Sequence, residues 1–130
     1  MSTRLLIIRV LLGLATIGAI GAAITQIPVV LDAGGATKVV ETWRLYGFVV
    51  FAGLFALLLV RPLGNLAVWL LAIFDKVALT LTAFGYQAHG GIAGTATIIT
   101  WDGGLAVLLI AAFILASVEG RGATPSPARS

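Results

Sequence analysis

Four long apolar runs, separated by shorter stretches that hold most of the charges, form the hydropathy pattern of this chain. The runs cover residues 4–24, 43–60, 63–86 and 102–118. Because an α-helix rises about 1.5 Å per residue, about 20 apolar residues cross the roughly 30 Å hydrocarbon core of a bilayer. We therefore predict four transmembrane helices in a single membrane domain over residues 1–118.

The second and third runs are joined by a tight turn that contains Arg61 and Pro62. Proline cannot continue a helix in its interior, and so short a connection places the third helix antiparallel beside the second. The predicted fold class is all-α integral membrane: a four-transmembrane-helix antiparallel bundle with up-down-up-down topology.

Two longer connections and the C-terminal tail are predicted to be irregular. Residues 25–42 contain Pro28 and a Gly-Gly pair, which favour a loop with two short strands or an interfacial helix. Residues 87–101 are rich in Gly and Thr, which predicts a loop with β character or a re-entrant segment. Asp102 then caps the fourth helix. Residues 119–130 carry two prolines and no large apolar residue, which predicts a disordered cytoplasmic tail.

Composition places the chain in a membrane. Of its 130 residues, 60% are hydrophobic and 10% are charged, and the mean hydropathy is +1.12, so the polar residues are too few to cover a soluble domain. The net charge of +3 does not indicate nucleic-acid binding, because no basic patch is interleaved with aromatic residues. The absence of cysteine excludes disulfides, thiolate metal sites and iron–sulfur clusters on this chain.

The distribution of Lys and Arg predicts the orientation. One side of the four-span arrangement carries Arg4, Arg9, Arg61, Arg121 and Arg129, whereas the other carries Lys38 and Arg44. Positive residues concentrate on the cytoplasmic side, so both termini are predicted to be cytoplasmic and the long loops to face outward. The first run also fits a secretory signal peptide, but Arg9 interrupts it and favours a retained helix. Abundant Arg, Ala and Gly are typical of a high-GC bacterium, which indicates the inner membrane.

Two charges, Asp75 and Lys76, lie at the centre of the third apolar run. Its eleven Leu, Ile, Val and Phe residues favour insertion by roughly 0.3–0.6 kcal/mol each, whereas a central Asp and a central Lys each oppose it by roughly 2.5–3.5 kcal/mol. The two sums nearly cancel. The other helices must therefore pack against α-helical residues Asp75 and Lys76 and shield their charges from lipid. We expect the bundle to be organised around these two residues.

The polar residues of the third helix lie on one broad face. At about 100° per residue, two neighbouring stripes hold the candidate site residues: Asp75, Thr82, Tyr86 and His89 on one, and Lys76 and Asn65 on the other. This face predicts an outward-opening polar cavity in which Asp75 acts as an acid, base or counter-ion and Lys76 as its electrostatic complement. Alternatively, Asp75 pairs with Lys76 or with another helix and fixes the register of the bundle.

Motifs for other chemistry are absent from the sequence. It contains no P-loop, nucleophile elbow, dinucleotide fingerprint or HExxH. A metal site of His89 with Glu41 or Asp102 is disfavoured because no spacing typical of histidine ligands supports it. We therefore assign no metal, and the cofactor is unknown.

A pattern in the first run, Arg9-Val-Leu-Leu-Gly13, lies inside a predicted helix that is followed by a long outer loop. Together with the four spans, this pattern resembles the DoxX-like group of small bacterial four-helix membrane proteins. The resemblance implies an inner-membrane four-helix bundle that is in some cases a subunit or partner of an oxidoreductase. It assigns no functional residues to this chain.

Three classes of function are compatible with these features. The first is a binding or accessory subunit that holds a lipophilic small molecule or a membrane partner in the cavity around Asp75. The second is a dimeric proton-coupled transporter, because two protomers could enclose a pathway that one cannot. The third is a small membrane enzyme that acts on a lipid-like substrate, although catalysis needs positioned partners that the sequence does not identify.

Overall fold

The computed structural model describes residues 1–122, which form four α-helices. They are α1 (Thr3–Asp32), α2 (Lys38–Val60), α3 (Leu66–His89) and α4 (Thr95–Gly122). Each helix is long and apolar enough to cross a membrane, with mean hydropathies of 1.8 to 2.2 over the most apolar stretches. The predicted all-α four-helix bundle is confirmed for the described residues, and the lengths and compositions of the helices are those of a multi-pass membrane protein.

The connection between α1 and α2 is much shorter than predicted. α1 continues through Pro28 to Asp32 and α2 begins at Lys38. The long loop predicted for residues 25–42, with two short strands or an interfacial helix, is therefore wrong. Proline removes one backbone N–H, but backbone groups in an apolar surrounding are best satisfied within a helix, and transmembrane helices tolerate proline for this reason. A short turn at residues 33–37 remains.

The connection between α3 and α4 is also shorter than predicted. α3 continues to His89 and α4 begins at Thr95, so the β character or re-entrant segment predicted for residues 87–101 is wrong. The turn between the two helices contains three glycines with positive φ angles, which glycine adopts without strain: Gly90 (85°), Gly91 (76°) and Gly94 (85°).

Two further predictions fail because α4 is longer at both ends. Asp102 lies inside α4 and does not cap it, and residues 119–122 are helical rather than disordered. The carboxylate of Glu119 accepts a hydrogen bond of 2.7 Å from the hydroxyl of Ser2, which ties the end of α4 to the start of α1. The rest of the predicted tail, residues 123–130, lies outside the described residues.

The helices pack in the order α2, α1, α4, α3. α1 lies along both α2 and α4, and α4 lies along α3, whereas α2 and α3 make few contacts although a tight turn joins them. The core lies in the half of the bundle next to that turn, and five of its eleven buried residues are alanines, which let helices approach closely. Its members are Ile8, Leu12, Ala15, Ala19, Phe55, Leu58, Trp69, Ala72, Leu109, Ala112 and Ala116.

The opposite half of the bundle is held by polar contacts between α1 and α2. The buried amide of Gln26 donates hydrogen bonds to the Glu41 carboxylate at 2.6 Å and to the Glu41 carbonyl at 3.2 Å. Arg44 pairs with the same carboxylate at 3.0 Å. The bundle therefore has an apolar core towards one end and, towards the other, a polar group of Gln26, Glu41 and Arg44, which we call the charged clasp. The centre of α3 lies between them.

Candidate functional site

The most buried charge in the described chain is Lys76, whose side chain is only 7% exposed. Its Nζ lies 2.8 Å from Oδ1 of Asp102 on α4 and 3.4 Å from Oδ2 of Asp75 on α3. The same ammonium lies 4.1 Å from the ring centroid of Phe51 on α2. We call these four residues the Lys76 cluster; they join three of the four helices near the middle of α3.

The contacts of Lys76 explain how a charge is accommodated there. Burying a lysine ammonium without a partner is unfavourable because the charge loses its hydration. A close carboxylate and an aromatic face offset part of this desolvation free energy. Without Asp102, the Lys76 ammonium would keep only the longer carboxylate contact to Asp75 and the contact to the ring of Phe51. Asp102, which makes the shorter contact, is therefore the main electrostatic partner of Lys76.

The close approach of α3 and α4 brings these two charges together. Gly103 follows Asp102 on α4, and a methyl group in its place would lie 3.4 Å from Cγ2 of Thr80 on α3. The hydroxyl of Thr80 donates to the carbonyl of Lys76 at 2.7 Å, so its side chain is held against the helix. Because Gly103 has no side chain and Thr80 is held against its own helix, α3 and α4 lie close together at this point. Asp102 is then within reach of Lys76.

Asp75 is in a different position from the other two charges. Its side chain is 39% exposed, compared with 19% for Asp102 and 7% for Lys76. It contacts the ammonium at the longer distance, and more than a third of its side chain lies at the surface of α3. Asp75 is thus the part of the Lys76 cluster that a second molecule can reach.

The structure brings together only some of the predicted site residues. Asp75 and Lys76 lie in one cluster, whereas Asn65 lies at the α2–α3 turn, where its amide donates to the carbonyl of Arg61 at 2.6 Å. Three others are exposed on the half of α3 that leads to α4, namely Thr82, Tyr86 and His89. With Asp75 they form what we call the α3 polar stripe, which lies on the surface of the described bundle.

Sequence reasoning missed Asp102 as a member of the site. An acid at the start of an apolar run is a common helix cap, and the Thr-rich residues before it were predicted to be a loop. The signal that could have found it is the charge count, because Lys76 needs an acidic partner and few carboxylates lie within apolar runs.

Two clefts lie at the ends of the bundle, away from Asp75. One has a volume of about 250 Å³ and lies beside the α2–α3 turn, where Pro62 and Trp69 contribute to its lining. The other, of about 520 Å³, lies beside the α1–α2 turn next to Pro28 and Glu41. Among residues 1–122, no group of three or more His, Asp or Glu side chains is placed to hold a metal ion.

No protein-family model, curated protein or solved structure matches this chain. A functional assignment therefore rests on the residues of the chain and on their contacts.

Proposed function

We propose that this protein is a binding or accessory subunit of a bacterial inner membrane that receives a membrane partner on the α3 polar stripe. The observation that carries the proposal is the exposure of Asp75 and the three residues that follow it along the same stripe. A cavity-forming face would be turned towards the other helices. This stripe is instead available to a molecule outside the bundle.

The energetics of the bilayer favour a covered stripe. A carboxylate near the middle of a transmembrane helix opposes insertion by roughly 2.5–3.5 kcal/mol, and such residues face protein or water when they persist. The hydroxyl groups of Thr82 and Tyr86 extend the polar surface from Asp75 towards the end of α3. A partner that supplies matching polar groups would remove this surface from lipid, which makes the stripe a place for stable association.

An accessory role also matches what the resemblance to DoxX-like proteins implies. A lipophilic small molecule and a second copy of the chain are the other predicted occupants of this surface. Both remain predictions, and each gives a product of different mass in a crosslinking experiment.

Photocrosslinking from the α3 polar stripe tests the proposal. A benzophenone amino acid placed at Tyr86 is expected to give a discrete adduct with another protein in native membranes. Phe84 is the matched control, because it is aromatic, lies two residues away on a different face of α3, and is 51% exposed compared with 49% for Tyr86. The control position is expected to give lipid adducts only.

The crosslinking result contradicts the proposal if both positions give the same products. An adduct of twice the 13.4 kDa chain mass at position 86 would identify a second copy as the occupant, and a small mass increase confined to position 86 would identify a lipophilic molecule. Either result would replace the membrane partner in the proposal.

The orientation of the bundle can be tested with single cysteines, because the natural chain has none. We expect Gly34→Cys to react with a membrane-impermeant maleimide added from outside and Leu63→Cys to be protected until the membrane is permeabilised. The reason is that the turn holding Leu63 lies on the Arg-rich side, which positive residues mark as cytoplasmic. The opposite labelling pattern would reverse the bundle.

A further inference from the structure

We propose that the partner presents a cationic side chain, a lysine or arginine, near the middle of a transmembrane helix and pairs it with Asp75. This inference rests on the proposed function and names the chemistry of the partner. It starts from the charge balance of the Lys76 cluster, in which two carboxylates share one ammonium at 2.8 and 3.4 Å.

The other Lys and Arg side chains of the described residues belong to the outer thirds or the ends of the helices, at Arg4, Arg9, Lys38, Arg44, Arg61 and Arg121. Arg44 pairs with Glu41 at the charged clasp, and the ammonium of Lys38 donates to the carbonyl of Leu31 at 3.2 Å. The guanidinium of Arg9 contacts the sulfur of Met1 at 3.6 Å near the start of α1. In the Lys76 cluster, Asp75 thus shares one ammonium with Asp102 and has the longer of the two contacts, 3.4 Å.

Geometry decides which carboxylate is available to the partner. Asp102 makes the short contact to Lys76 and is 19% exposed, so its charge is largely matched within the bundle. Asp75 makes the long contact and is 39% exposed at the head of the α3 polar stripe. A cation that reaches Asp75 from outside would bring the cluster to two positive and two negative charges in a medium where unmatched charge is costly.

Charge complementarity also argues against a second copy of this chain on the stripe. In a pair related by a two-fold axis along the membrane normal, the two Asp75 carboxylates lie at the same depth, and an interface centred on Asp75 would bring them together. Two like charges in an apolar setting disfavour such a contact. The occupant that fits is a different helix with a basic residue, and the hydroxyls of Thr82 and Tyr86 lie farther along the same stripe to receive its polar groups.

Synthetic peptides test this inference directly. The probes are Leu/Ala transmembrane peptides of about 20 residues that carry a single central Lys, Leu or Glu, and their association with the full chain in lipid nanodiscs is measured by energy transfer. The Lys peptide is expected to bind the natural chain about tenfold more tightly than the Leu peptide, which corresponds to about 1.4 kcal/mol. The Glu peptide is expected to bind no better than the Leu peptide.

Variants of Asp75 identify the residue responsible. Asp75→Asn keeps the shape of the side chain and is expected to abolish the preference for the Lys peptide, whereas Asp75→Lys is expected to transfer the preference to the Glu peptide. Thr25→Val, at an exposed threonine of α1 away from the α3 polar stripe, is the control and should retain the preference for Lys. Circular dichroism and thermal melts of each variant establish that the bundle is intact.

Several results would overturn the inference. These are equal binding of the Lys and Leu peptides, a preference that survives in Asp75→Asn, or self-association of the chain that excludes the peptides. The two experiments distinguish failure of the proposed membrane partner from failure of its proposed cationic residue. A protein adduct at position 86 without a peptide preference would retain the partner and reject its cation, whereas a peptide preference without an adduct would reject the native partner.

Discussion

Replacing Lys76 with methionine is expected to lower the free energy of unfolding by roughly 3–5 kcal/mol, the range found when one member of a buried ion pair is removed. Methionine fills much of the volume of the lysine stem but supplies no positive charge. Asp102 would then keep its position inside the bundle without its 2.8 Å partner. The measurement is the thermal or denaturant unfolding of purified protein in a mild detergent, compared with the natural chain.

Two variants separate the charge from the packing. Lys76→Arg retains a cation and is expected to recover part of the loss. The double variant Lys76→Met with Asp102→Leu replaces the pair with apolar side chains, and such replacements are often neutral or stabilising by about 1–4 kcal/mol. If the double variant were less stable than Lys76→Met alone, the Lys76–Asp102 pair would not be the source of the effect.

The same series divides the Lys76 cluster into a structural and a binding part. Lys76 and Asp102 are the two least exposed charges of the cluster, and they link α3 to α4, so their loss should reduce stability. Asp75 lies at the surface and makes the longer contact. Asp75→Asn should therefore change stability little while it removes the charge that we propose a partner recognises.

Hydropathy was sufficient to predict the four helices because the bilayer imposes a length on every spanning segment. The central position of Asp75 and Lys76 also followed from the sequence, since both halves of the third run are too short to span alone. The interpretation of α3 as the helix with the chemistry of the site rests on this pair and stays a prediction, since the ion pairs of Lys76 also fit a role in fixing the register of the bundle.

The errors have one physical origin. Pro28, the Gly-rich turn before α4 and the acid at Asp102 were interpreted with rules for helix ends in water, where exposed backbone groups are hydrated. In an apolar surrounding those groups are satisfied within the helix, so α1 continues past Pro28 and α4 begins before Asp102. The sequence could not indicate which polar stripe faces outward, because that depends on how α3 packs against α4.

Replacing Trp69 with alanine is expected to lower the free energy of unfolding by about 3–5 kcal/mol, as for other buried aromatic residues. Trp69 is 2% exposed, and its indole N–H donates to the carbonyl of Pro62 at 2.9 Å. Its ring packs against Phe113 of α4 with 5.8 Å between centroids. Trp69 thus links the α2–α3 turn to α4. This link matters because α2 and α3 make few contacts with each other.

Two substitutions distinguish this role from the general loss of an aromatic residue. Trp69→Phe keeps a ring against Phe113 but leaves the Pro62 carbonyl without its donor, so we expect a smaller loss of roughly 1–3 kcal/mol. Trp43→Ala is the control, because Trp43 is 77% exposed and surface substitutions usually change stability by about 0.5 kcal/mol or less. Equal unfolding free energies for Trp69→Ala and Trp43→Ala would show that the α2–α3 turn is not fastened by Trp69 and that the core near it repacks without the indole.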